Sequence, residues 1–109
     1  MSVSESKAVR WVPVGRPESL RFAPGAVVKA EDHELAVFKR GDDDYCALLN
    51  SCPHAGASLA EGHVADGEVS CPWHGWRFDL ATGVCKTIFE DSTRAFPVRL
   101  HDGVLEVGL

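Results

Sequence analysis

Short apolar runs, most of them β-branched or alternating with polar residues, are separated along the chain by clusters of Gly, Pro, Asp and Asn. This is the pattern of a mostly antiparallel β domain, and no stretch carries the longer period of a long helix. Residues 9–14 (Val-Arg-Trp-Val-Pro-Val) predict a first strand, followed by a loop at residues 15–17 and one helical turn near Glu18-Ser19-Leu20. Residues 26–30 and 35–40 predict a hairpin around Glu31-Asp32-His33. The acidic run at residues 41–44 reads as a solvated turn rather than a calcium loop, and residues 45–50 as the strand leaving it. Residues 79–83 predict a turn into a further strand. Residues 95–100 and 104–107 predict a terminal hairpin around His101-Asp102-Gly103, which carries the Asp-Gly turn signal.

Length and charge narrow the picture. The chain has 109 residues, enough for one domain of modest core, and residues 1–109 are expected to form it. There are 11 basic and 16 acidic residues, a formal charge of −5. The basic residues are scattered, which argues against nucleic acid or an anionic membrane and favours a partner with a basic face. The first residues lack the apolar core of a signal peptide, and no run approaches the ~18 apolar residues of a membrane span, so a soluble, cytoplasmic protein is expected. Four cysteines in that compartment argue for metal or redox chemistry ahead of disulfides.

The chemistry gathers in Cys52-Pro53-His54 and Cys71-Pro72-Trp73-His74, with sixteen residues between His54 and Cys71. Each motif supplies one thiol and one imidazole. Those donors suit a single zinc ion, or a two-iron cluster with the thiolates on one iron and the imidazoles on the other, and the ligand types alone leave both open. The order C-x-H then C-x-x-H leans toward the cluster, because small zinc modules usually pair like ligands. The other candidates have plainer roles. Cys46, in an alternating strand, reads as a small buried hydrophobe. Cys85 reads as a structural or surface thiol, and His33, His63 and His101 as surface histidines without ligand spacing. Arg77 and Asp79 are expected to pair across the base of the second loop with little energetic consequence.

The segments 52–62 (CPHAGASLAEG) and 71–79 (CPWHGWRFD) closely resemble the two cluster-binding loops of Rieske proteins. The opening Trp11-Val12-Pro13-Val14 and the closing Phe96-Pro97-Val98-Arg99 are similar to those of small Rieske ferredoxins. The resemblance implies an all-β fold of stacked antiparallel sheets, with a cluster-binding subdomain formed by two loops within about residues 51–79. It implies one [2Fe-2S] cluster, with Cys52 and Cys71 on the buried iron and His54 and His74 on the outer iron. Gly56 and Gly75 would let backbone N–H groups approach the cluster sulfurs, while Pro53 and Pro72 stiffen the loops. Trp73, between the second pair of ligands, is a candidate either for docking or for shielding the cluster from water.

The same resemblance implies a soluble carrier of single electrons, not an enzyme in itself. Its partners would be a flavin-dependent ferredoxin reductase and a terminal oxygenase. The alternatives are a small subunit of a larger reductase, such as a nitrite reductase, and a zinc-stabilised structural module. Oxygenase catalytic subunits carry a similar domain followed by a long mononuclear-iron domain, for which 109 residues leave no room. Small Rieske ferredoxins commonly cover the cluster with a proline-containing loop; residues 84–91 contain no proline, leaving Ile88 or Phe89 for that place.

The residues beside the ligands set the expected potential. High-potential relatives join their two loops by a disulfide, at positions occupied here by Ala57 and Trp73. They also place a serine and a tyrosine hydroxyl against sulfur, where this chain has Trp76 and Phe78. A donor to sulfur stabilises the more negative reduced state, so its absence lowers the potential. Potentiometry is expected to return a value near the low end of the Rieske range, about −150 mV, and well below the upper limit of roughly +300 mV; a value well above zero contradicts this.

Overall fold

The computed structural model describes residues 10–22, 24–41, 44–50, 58–72, 75–87 and 92–109. Its ten described strands are β1 (Trp11–Gly15), β2 (Ala26–Ala30), β3 (His33–Gly41), β4 (Asp44–Leu49), β5 (His63–Ala65), β6 (Glu68–Ser70), β7 (Arg77–Asp79), β8 (Ala95–Phe96), β9 (Val98–His101) and β10 (Val104–Gly108). Single 3-10 turns lie at Pro17–Ser19 and Leu59–Glu61. The strands form three antiparallel sheets in the orders β1-β10-β9, β2-β3-β4-β8 and β5-β6-β7. This is the all-β, stacked antiparallel architecture expected.

The four-stranded sheet lies between two cores. In β3 the run Leu35-Ala36-Val37-Phe38 is buried at every position, the mark of a strand covered on both faces. Its side chains sort by the period of two. Leu35 and Val37 join Ala47, Phe96, Leu105 and Val107 in one cluster, which packs against Val12 and Val14 of the first sheet. Ala36 and Phe38 join Cys46, Leu48, Leu59, Val69 and Phe78 in the other, which reaches the third sheet. One strand thus joins the outer sheet to the sheet that carries the second ligand motif.

Turn chemistry fixes the registers. The two-residue turns Asp66-Gly67 and Asp102-Gly103 have φ of +53° and +76°, and +52° and +79°. Positive φ at both centres is what a type I′ hairpin requires. The second turn is the one expected from sequence; the first, joining β5 to β6, carries the same signal within a stretch for which no strands were anticipated. His33 belongs to β3 rather than to the turn, opposite Ala30. The strand expected over residues 95–100 is divided at Pro97: Phe96 pairs with Ala47 of the central sheet, and Val98 with Val107 of the first. Proline has no N–H to continue a ladder, and its carbonyl instead accepts from Gly108 at 2.8 Å.

Among the described residues, the further strand expected after residues 79–83 is a single bridge between Cys85 and Phe78, flanked by backbone bonds from the Asp79 N–H to the Val84 carbonyl at 2.9 Å and from the Lys86 N–H to the Arg77 carbonyl at 2.7 Å. Side-chain hydroxyls add to this pairing. The Ser92 hydroxyl accepts from the Cys85 N–H at 2.9 Å, and the Thr87 hydroxyl from the Arg77 N–H at 3.2 Å. Asp79 shapes the turn itself, its Oδ1 accepting from the N–H groups of Ala81 and Thr82 at 2.8 and 3.0 Å.

Two outcomes follow from these contacts. A Cβ at Gly62 would overlap the carbonyl oxygen of Ser70, a backbone atom of the paired strand. Gly62→Ala is therefore expected to cost about 2 kcal/mol or more, lowering the thermal midpoint by roughly 10 °C; an unchanged midpoint refutes the close approach. The N–H bond from Ala81, followed by that from Thr82 and the charge of Lys86, holds the Asp79 carboxyl below its ordinary value of 3.8. A depressed carboxylate contributes stability that is present above the unfolded value and lost as pH falls through the folded one. In a carboxyl-carbon NMR titration Asp79 is expected to titrate below 3.8, and to return toward that value when Thr82→Pro removes one donor.

Candidate metal centre

The two ligand motifs hang from two hairpin-like bases. The first leaves the end of β4 at Leu49 and returns at the turn Leu59–Glu61. Cys52 and His54, with Pro53, Gly56 and Ala57, lie outside the described residues. What is described is the closure beneath them. Asn50, 3% exposed, is the buried polar residue at this point. Its Oδ1 accepts from the Ser58 hydroxyl at 3.1 Å and the Ala60 N–H at 2.9 Å, and its Nδ2 donates to Glu34 Oε2 at 2.8 Å. Its backbone N–H donates to the Glu34 carbonyl at 3.0 Å, and its carbonyl accepts from the Leu59 N–H at 2.6 Å. One side chain therefore closes the loop and joins it to β3. A buried amide so fully bonded is stabilising, whereas its loss would leave several donors and acceptors unpaired.

The second base lies between β6 and β7. Cys71 follows directly after Ser70 and is buried, packed into the cluster that contains Val69, Phe78 and Leu80. Its N–H donates to the Trp76 carbonyl at 2.7 Å, and its carbonyl accepts from the Gly75 N–H at 2.9 Å. Those two bonds close the hairpin directly behind the thiol. Gly75 has φ of +73°, and a Cβ there would meet nothing within 4 Å, so glycine is required by the backbone conformation rather than by crowding. Trp73 and His74 lie outside the described residues. Cys71 is thus the described member of the four expected ligands.

Charged groups brace the base of this loop. Glu68, on β6, lies 3.6 Å from Arg77 and 3.1 Å from Lys86, and Lys86 lies 3.9 Å from Asp79. The pairing expected between Arg77 and Asp79 is replaced by this arrangement, because Glu68 and Arg77 stand on adjacent strands and Lys86 reaches both acids. The Lys86 N–H also donates to the Arg77 carbonyl at 2.7 Å, tying the following segment to β7. Ile88 and Phe89, expected to cover the site, lie outside the described residues.

The remaining candidates fall into place around this frame. Trp76 is partly buried against the inner cluster, and Phe78 is fully buried in it. Neither side chain brings a hydroxyl to the loop. Cys46 is buried, as its alternating strand suggests, with its thiol 3.8 Å from the Phe38 carbonyl; burial pushes its pKa up to about 11. Cys85 is likewise buried, so of its two structural readings the core one applies. His63 and His101 are exposed. His33 departs from the surface reading: it is half-buried, edge-on to Phe96 at 5.6 Å, with a buried Nδ1. Asn50, Ser58 and Glu34 were not anticipated from sequence, where the one available signal is an amide ending an apolar strand two residues before a ligand cysteine.

The Rieske [2Fe-2S] domain model matches residues 10–98. The ferredoxin subunit of anthranilate 1,2-dioxygenase from Burkholderia cepacia is 35% identical, over 98% of this chain and 99% of that protein. The ferredoxin of carbazole 1,9a-dioxygenase from Nocardioides aromaticivorans IC177 superposes with a TM-score of 0.77 at 29% identity, covering 89% of this chain and 95% of that one. The E. coli protein NirD gives a TM-score of 0.82 at 22% identity, a likeness of fold. Other relatives are far longer: the chain spans 19% of the cholesterol 7-desaturase of Hemicentrotus pulcherrimus. The two-iron cluster thereby displaces the single zinc ion that the ligand types had left open, and the chain belongs to the Rieske [2Fe-2S] family.

Proposed function

We propose that Cys52, His54, Cys71 and His74 hold the [2Fe-2S] cluster and that the 109 residues act as one Rieske domain. On this reading the protein is a soluble, cytoplasmic carrier, passing single electrons from a flavin-dependent reductase to a terminal oxygenase. The observation that carries the reading is the near end-to-end match to a dioxygenase ferredoxin subunit, 98% of one chain against 99% of the other. The donors fit the group. Two thiols and two imidazoles are the Rieske set, and Cys71 is buried among apolar residues with its backbone fixed on both sides, as suits a ligand of the inner iron.

The cluster supplies a one-electron acceptor and donor. The chain's own residues do the rest. The Cys71–Trp76 and Gly75–Cys71 backbone bonds hold one loop base, and Asn50 holds the other. Phe78, Leu80 and Val69 keep water from the inner side of Cys71. Trp76 and Phe78 offer no hydroxyl to sulfur, which favours the oxidised state and a low potential. A low potential matches acceptance from a flavin and donation to an oxygenase, and the described residues contain no helix long and apolar enough to cross a membrane.

The test combines analysis and reconstitution. Purified protein is expected to carry about two irons and two acid-labile sulfides per chain. Cys52→Ala, His54→Ala, Cys71→Ala and His74→Ala are each expected to lose the cluster, while Cys46→Ala retains it. With NADH, a flavin-dependent reductase and an aromatic-ring dioxygenase, product formation is expected to require the holoprotein. Retention of the cluster in the ligand variants would refute the ligand set; tight co-purification with a large reductase, without transfer to an oxygenase, would favour the subunit role.

A further inference from the structure

The reading that follows rests on the proposed ligand set, and concerns residues outside it. Loop 51–57 enters the structure at Asn50 and leaves it at Ser58. Both ends are fastened by the same side chain: Oδ1 of Asn50 takes the Ser58 hydroxyl at 3.1 Å and the Ala60 N–H at 2.9 Å. The fastening is itself fixed from behind. Glu34 on β3 accepts from Nδ2 at 2.8 Å through its carboxylate and from the Asn50 N–H at 3.0 Å through its carbonyl. The far end of the short turn is held as well, because the Gly25 N–H donates to the Ala60 carbonyl at 2.9 Å.

We infer that Asn50, oriented by Glu34, is a positioning residue that sets the placement of the first ligand loop and thereby tunes the cluster. Cys52 is two residues from Asn50 and His54 four residues from Ser58, so neither ligand has much chain in which to absorb a shift at the base. The amide is 3% exposed. Its bond from the Ala60 N–H is buried, and an apolar replacement leaves that N–H and the Ser58 hydroxyl without their acceptor. The second loop has its counterpart in the backbone bonds between Cys71, Gly75 and Trp76. The first loop is longer, and a side chain takes that part.

The test uses the holoprotein. Asn50→Leu, neutral and similar in volume, removes the acceptor and the donor together. It is expected to raise the rate of cluster bleaching under chelator by about tenfold and to shift the electron paramagnetic resonance g-values. Glu34→Gln keeps an oxygen at position 34 to accept from Asn50 Nδ2 without burying a charge, and its bleaching rate is expected to stay within about twofold of the parent. Parent-like bleaching and g-values in a folded Asn50→Leu protein would overturn the inference, as would a Glu34→Gln protein that bleaches as fast as Asn50→Leu. Should Asn50→Leu fail to fold, Ser58→Ala removes one bond alone, with bleaching faster by about threefold expected and no change overturning the inference. Failure of the ligand set would appear separately, as cluster retained in Cys52→Ala or His54→Ala.

Discussion

Burial of β3 on both faces is the constraint from which the rest of the architecture follows. Leu35 and Val37 require a sheet on one side, and Ala36 and Phe38 require one on the other. A strand with four consecutive buried positions cannot sit at the surface, and a one-residue slip of register would exchange its two faces. The outer sheet meets the first requirement through Leu105 and Val107. The sheet bearing Cys71 meets the second through Val69 and Phe78. The hairpin bearing Cys71 is therefore positioned by packing against the middle of the molecule, and its thiol is buried by the same contacts.

Given that frame, the bases of the two motif-bearing loops are closed by different means. Between β6 and β7 the connection is short, and backbone bonds across the hairpin suffice to hold Cys71. Between β4 and the turn at Leu59–Glu61 it is longer, and a buried amide joins its ends to each other and to Glu34 on β3. Both devices fix the described backbone on which the proposed ligand set rests. The ion pairs of Glu68 with Arg77 and Lys86 lie farther out and are partly exposed. They align the segment after β7 and contribute little stability in water.

Sequence and structure divide the site between them. The two motifs, C-x-H and C-x-x-H, were legible as residue types at short spacing, but the choice between zinc and a two-iron cluster came from the loops around them and from the family match. The terminal hairpin was legible because Asp102-Gly103 sets its own turn. The hairpin at Asp66-Gly67 carried an equal signal, but its strands are three residues each, too short for alternation to register. His33 was placed in a turn because it follows Glu31-Asp32; pairing with Ala30 draws it into the strand. After Gly83 the described residues pair with β7 through one bridge and two backbone bonds, and the Thr87 and Ser92 hydroxyls accept from the N–H groups of Arg77 and Cys85.

The sequence by itself determined the class of fold, the two Cys/His motifs that the proposed ligand set draws on and the absence of hydroxyls at Trp76 and Phe78, since each depends on residue type and short spacing. Only the tertiary structure decided that Leu35–Phe38 faces two cores, that Pro97 divides one strand between two sheets, and that Asn50 closes the first loop. Those three arise from contacts between segments distant in the chain. Asn50 meets Glu34 across sixteen positions, and no local pattern encodes that meeting. In the sequence Asn50 is simply the last residue of the strand expected over residues 45–50; the fold buries its amide and supplies its partners.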